Sequence, residues 1–109
     1  MLLDYTLKRE GFHVSTVING EDTLTILEKK KFDLILMDIQ MPGKDGVEVT
    51  REIRKTSNKN IPVIALTANA MKGDREKYIK LGLDDYLSKP IKKRVLINTV
   101  IKWIIESKG

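Results

Sequence analysis

Three polar residues stand where strand-like runs end. Asp38 closes Leu34-Ile35-Leu36-Met37, Thr67 closes Val63-Ile64-Ala65-Leu66, and Lys89 follows Asp85-Tyr86-Leu87-Ser88. A carboxylate can attack phosphorus and form an acyl phosphate, provided that cations and hydrogen-bond donors offset the repulsion between two anions. Lys89 and Thr67 are residue types that meet this need. If the runs are strands of one open parallel sheet, their carboxyl ends share a rim, and such sheets bind ligands at that rim. A carboxylate, a hydroxyl and an ammonium would then converge. Each residue alone has a plainer reading: Asp38 as a turn residue, Thr67 as a helix cap, Lys89 as a solvated charge. The trio in register is what carries information.

The elements that would position them follow an alternation of short strand-like runs and longer helical periods, the pattern of βα units in a parallel sheet. His13 to Val17 reads as a strand rich in β-branched residues, set off by Gly11. Glu21 to Lys30 has Leu24 and Leu27 on one face and acids in its first turn, as suits a helix. Leu34 to Met37 is continuous enough for a strand covered on both faces. Met41 to Lys44 is a loop, and Asp45 an N-cap for a helix through Val47, Val49 and Ile53 to about Lys55. Pro62 opens a strand running to Thr67, at its first residue, where proline is tolerated. A helix from about Ala70 to Leu81 stops at Gly82. Asp85 to Ser88 forms the last strand, Lys89-Pro90 a turn, and Ile91 to Glu106 a long helix. Leu3 and Leu7 mark a helix ahead of Gly11. A strand at Leu2-Leu3-Asp4 would leave eight residues before His13, too few for a parallel crossover.

Composition narrows the chemistry. The 109 residues suit a single domain over 1–109, and the chain has no cysteine, so thiolate, disulfide and cysteine-rich zinc chemistry are excluded. There is no apolar run of membrane-spanning length and no basic-then-apolar leader pattern, which leaves a cytoplasmic protein without a membrane partner as the expectation. Twenty basic against fifteen acidic residues give a net charge of +5. The basic residues fall in separated groups, Lys29 to Lys31, Arg51 to Lys55 and Lys89 to Arg94, and no aromatics are interleaved with them to stack on bases. Solvated helix faces are the expectation, not a nucleic-acid surface. His13, at the strand end away from the rim, reads as a surface residue. Trp103, amid Val100, Ile101, Ile104 and Ile105, reads as a packing or partner-facing aromatic.

Asp38-Ile39-Gln40-Met41-Pro42-Gly43-Lys44-Asp45-Gly46, Ala65-Leu66-Thr67-Ala68 and Asp85-Tyr86-Leu87-Ser88-Lys89-Pro90 together resemble the receiver domains of two-component response regulators and hybrid histidine kinases. The resemblance runs the length of the chain, and Leu66 to Met71 is especially similar to receivers attached to hybrid sensor kinases. It implies a flavodoxin-like (CheY-like), doubly wound parallel α/β sheet. It further implies that Asp38 accepts a phosphoryl group from a phosphohistidine on a histidine kinase or a histidine phosphotransfer protein. Thr67 and Tyr86 would be the switch pair, Lys89 would pair with the phosphoryl group, and the Lys89-Pro90 bond would be cis. Mg²⁺ would bind Asp38 and the Gln40 carbonyl, and a surface of the helices after Asp38 would report the change.

One departure from that pattern bears on the metal. Receivers begin with a strand ending in two acids that ligate Mg²⁺, and neither the strand nor the pair is found ahead of His13. A shortened reading frame is the simplest account, with the first strand absent from between the His13 and Leu34 strands. Asp38 alone would hold Mg²⁺ poorly. Asp84 and Asp85 start the last strand about 15 Å from its rim, at about 3.3 Å per residue, and cannot substitute. Asp4 would lie on a helix. The gap leaves three expectations open: closure by the His13 strand, a strand donated by another chain or within a homodimer, or poor folding. Phosphotransfer would be impaired. The alternatives are a phosphorylation-independent pseudo-receiver that binds partners, and an aspartyl phosphohydrolase of the dehalogenase type. The latter calls for an acid where Gln40 stands.

Overall fold

The computed structural model describes residues 3–15, 20–38, 46–56, 60–67 and 74–108. In chain order these form α1 (Leu3–Arg9), α2 (Gly20–Lys29), β1 (Ile35–Asp38), α3 (Gly46–Ile53), β2 (Val63–Thr67), α4 (Asp74–Lys80), β3 (Asp85–Ser88) and α5 (Lys93–Lys108). The strands make a parallel sheet in the order β1-β2-β3. Every residue of β2 is buried, which is what a continuous apolar run needs when helices cover both faces of its sheet.

The two-residue period of a strand divides that run between two cores. On one face Val63, Ala65 and Met37 meet Leu27 of α2, Val49 and Ile53 of α3, Tyr78 of α4, and Leu83. On the other, Ile64, Leu66 and Leu87 meet Leu7 of α1 and Leu96 and Val100 of α5. Full burial of a side chain such as Ile53 or Leu96 contributes about 1.5–3 kcal/mol.

Glycines end two of the helices in the same way. Gly11 and Gly82 have φ of +94° and +101°. The next residues, Phe12 and Leu83, donate back to the carbonyls of Leu7 and Tyr78 at 3.1 and 3.0 Å. These are Schellman turns, which the left-handed conformation of glycine permits. Arg54, just past α3, secures the amino ends of β2 and β3. It donates to the Gly82 carbonyl through Nε and Nη2 at 3.0 and 2.8 Å, to the Ile61 carbonyl at 2.6 Å and to Asp84 Oδ2 at 2.9 Å. Asp84 Oδ2 also accepts from the Val63 amide at 2.8 Å.

The expected strand at His13–Val17 is the main difference. Residues 13–15 belong to no strand, and Thr16 and Val17 lie outside the described residues. Phe12 and Val14 do pack on the α1–α5 side of the sheet. Extended backbone becomes a strand only through a paired neighbour, and among the described residues no strand pairs with the second edge of β1. Ile35 donates to the Pro62 carbonyl at 2.8 Å, so the alternation of a parallel ladder turns the Leu36 amide and carbonyl to that second edge. Smaller differences lie at element ends: α2 starts at Gly20, α3 ends at Ile53, and α5 starts at Lys93. The Asp45 cap and the expected helix start at Ala70 lie outside the described residues.

Candidate functional site

The β1–β2–β3 registers place the ends of the strands side by side. Asp38 is level with Leu66, one residue before Thr67, and Thr67 is level with Ser88, one residue before Lys89. The ladder continues past β3, with the Lys89 amide donating to the Thr67 carbonyl at 2.8 Å. Lys89 is thereby held by its main chain to β2 while its side chain crosses to β1, where Nζ donates to Asp38 Oδ2 at 2.9 Å. The Lys89-Pro90 peptide is cis.

Asp38 and Lys89 keep 40% and 32% of their side-chain surface exposed, so an incoming group can reach the carboxylate. The ammonium already sits where charge brought to Asp38 would need compensation. Thr67 is on the same rim but is buried, and the hydroxyl of Tyr78 donates to its Oγ1 at 3.4 Å. Tyr86 is half-buried on β3, with its ring 5.9 Å from that of Tyr78 and tilted by 48°. Of the residues singled out from sequence, Asp38 and Lys89 are in direct contact and Thr67 shares their rim. Tyr86 is linked to Thr67 through Tyr78. Gln40 lies outside the described residues.

Asp84 and Asp85 are at the far end of β3, as their sequence position requires. Asp84 is held by Arg54, and Asp85 Oδ2 accepts from Trp103 Nε1 at 3.0 Å. An open depression of about 440 Å³ at that end is bordered by Arg54, Asp84, Ile79 and Trp103, but its charged groups are engaged with each other. His13 is exposed.

Magnesium takes six oxygen ligands and generally holds on through one or two carboxylates plus phosphate. Among the described residues no group of three or more His, Cys, Asp or Glu side chains could hold a metal ion, and the Asp38 carboxylate is bonded to an ammonium. These residues by themselves do not fit a Mg²⁺ site.

Sequence reasoning missed Tyr78 and Arg54. A tyrosine within the buried stripe of the helix after β2 was a usable signal, because a buried phenol needs a partner. Arg54 gave a weaker one, since most of its acceptors are main-chain carbonyls.

Comparison with known proteins bears on the family and the fold. The family model for the response regulator receiver domain matches residues 1–101. The chain is 39% identical over 107 residues to the sensor histidine kinase GacS of Pseudomonas protegens, covering 94% of this chain and 12% of that protein. It is 42% identical over 120 aligned positions to hybrid signal transduction histidine kinase I of Dictyostelium discoideum, covering 99% of this chain and 7% of that protein. The chain thus spans a small part of the curated relatives it matches. Among solved structures, the receiver domain of a sensor histidine kinase from Pseudomonas aeruginosa PAO1, with a magnesium ion coordinated in its active site cleft, is 40% identical. It superposes with a TM-score of 0.85 over 94% of this chain and 85% of that one. No helix among the described residues is long and apolar enough to cross a membrane.

Proposed function

The chain belongs to the response regulator receiver domain family, and on that premise we propose that Asp38 is its phosphoacceptor in a phosphorelay. A carboxylate oxygen of Asp38 attacks the phosphorus of a phosphohistidine on a histidine kinase or histidine phosphotransfer protein. The new O–P bond forms as the P–N bond breaks, and the imidazole leaves with the electron pair. Lys89 exchanges its contact with the carboxylate for one with the phosphoryl oxygens. Thr67 then turns its hydroxyl toward the new group, Tyr86 follows, and the altered helical surface is read by a protein partner.

The observation that carries this reading is the 2.9 Å contact between Lys89 Nζ and Asp38 Oδ2. It joins residues 51 positions apart at the carboxyl rim of the sheet. Intact-mass measurement after incubation with a phosphorylated histidine phosphotransfer protein tests the reading. A gain of one phosphoryl group, lost in Asp38→Asn, is expected. Equal labelling of the Asn variant would refute the assignment.

The lack of a metal-ligating cluster among the described residues favours one second reading, a phosphorylation-independent interaction module. Partner binding that is unchanged by Asp38→Ala, together with no labelling of the parent chain, would establish that reading instead.

A further inference from the structure

We propose that Tyr78 is a positioning residue for the switch, its hydroxyl tethering the Thr67 side chain until a phosphoryl group on Asp38 draws that side chain away. The inference rests on reading Asp38 as phosphoacceptor and deepens it by naming what restrains Thr67 beforehand.

The argument is one of contacts. Tyr78 and Thr67 are each 7% exposed, and the Tyr78 hydroxyl donates to Thr67 Oγ1 at 3.4 Å. The bond is long, but it lies in a low-dielectric setting where a phenol left without a partner is costly. Rotation of Thr67 about χ1 moves Oγ1 away from its present place, so a turn toward Asp38 gives up this bond. The same tyrosine meets the second switch residue, Tyr86, ring to ring. Its carbonyl also accepts from the Leu81 and Leu83 amides at 3.1 and 3.0 Å, which forms the turn that leads α4 into β3. Tyr78 is thus the point at which the end of β2, the middle of β3 and the end of α4 are joined. Release of Thr67 removes one of the three attachments of this side chain and backbone, and frees the end of α4 to shift with Tyr86.

A purely structural tyrosine would make the same contacts without restraining Thr67, so the test separates the two. The full chain is prepared unsubstituted and as Tyr78→Phe, Thr67→Val and the double variant. Phenylalanine keeps the ring in the core and removes the hydroxyl alone. Thr67 χ1 populations, read by NMR from methyl couplings, are expected to shift about 2–10-fold in Tyr78→Phe, the ratio one net hydrogen bond sustains. Unchanged populations overturn the tether. With acetyl phosphate as donor, the fraction of Asp38 phosphorylated at steady state should rise by a similar factor in Tyr78→Phe, and not at all when phenylalanine is added to Thr67→Val. An equal change on both backgrounds also overturns it, because the effect would not pass through the hydroxyl of Thr67. Absence of Asp38-dependent labelling in every chain instead refutes the phosphoacceptor reading, and the rotamer populations then still decide for or against the tether.

Discussion

Replacing Lys89 by methionine should separate the chemistry of the rim from the stability of the fold. Methionine keeps an unbranched apolar stem along the same path, so the packing of that stem is retained and the ammonium alone is lost. The Asp38–Lys89 contact is 2.9 Å, with side chains 40% and 32% exposed. At such a distance two unit charges in water attract by about 1 kcal/mol, and side-chain ordering and salt reduce an exposed pair to about 0–1 kcal/mol. The variant should therefore melt no more than about 4–8 °C below the parent, the shift that 1 kcal/mol produces in a domain of this size. Transfer is a different matter. A phosphoryl group spreads more negative charge over the rim than the carboxylate alone, and loss of one donor aimed at developing charge costs about 2.7–4 kcal/mol of barrier, or about 100–1000-fold in rate. Thermal melts followed by circular dichroism give the first quantity. Phosphate incorporation from a phosphorylated histidine donor, compared between parent and variant, gives the second. Destabilisation beyond about 2 kcal/mol would mean that Lys89 is chiefly a structural tie, well outside the range for an exposed pair. Labelling at the parent rate would mean that its charge does not assist transfer.

Three further expectations concern the frame behind the rim. Arg54→Ala removes the guanidinium donors to the Gly82 and Ile61 carbonyls and the ion pair to Asp84, and should cost about 2–4 kcal/mol in urea unfolding, at the rate of about 1.5–3 kcal/mol per charge-assisted bond reduced for partial exposure. Asp84→Asn should cost less, because its amide oxygen still accepts from Val63; equal losses would show that the pair, not the carbonyl bonds, dominates. Gly82→Ala should destabilise by about 1–3 kcal/mol through backbone strain at φ +101°, and not through crowding, since its new methyl would meet Thr50 and Arg54 only at ordinary contact distances of 3.6 and 3.7 Å. A neutral result would mean that the turn relaxes to another conformation.

How much of this was legible in the sequence depends on whether a residue's role is local. β3 is legible to the residue, because Gly82 and Lys89-Pro90 punctuate the chain on either side of it. β2 is legible because an unbroken apolar stretch can be satisfied only between two layers. Asp38 and Lys89 are legible as a pair because parallel strands bring their carboxyl ends together whatever the loops do. The His13 stretch shows the opposite case. Its β-branched residues favour extended backbone, but a strand also needs a partner, and composition does not reveal one. Tyr78 and Arg54 are not legible for a related reason, since the groups they bond lie on other elements and, for Arg54, mostly belong to the backbone.

The seating of Lys89 has one more consequence. Its ammonium reaches Asp38 because the amide of the same residue completes the ladder with Thr67, and side chains in a ladder change sides at every step. Deleting any one residue of β3 would carry Pro90 into that place and turn the lysine to the opposite layer. The cation beside Asp38 is thus set by counting along a strand, and drift in this protein is free to alter loop lengths but not the parity of the four residues ahead of the lysine.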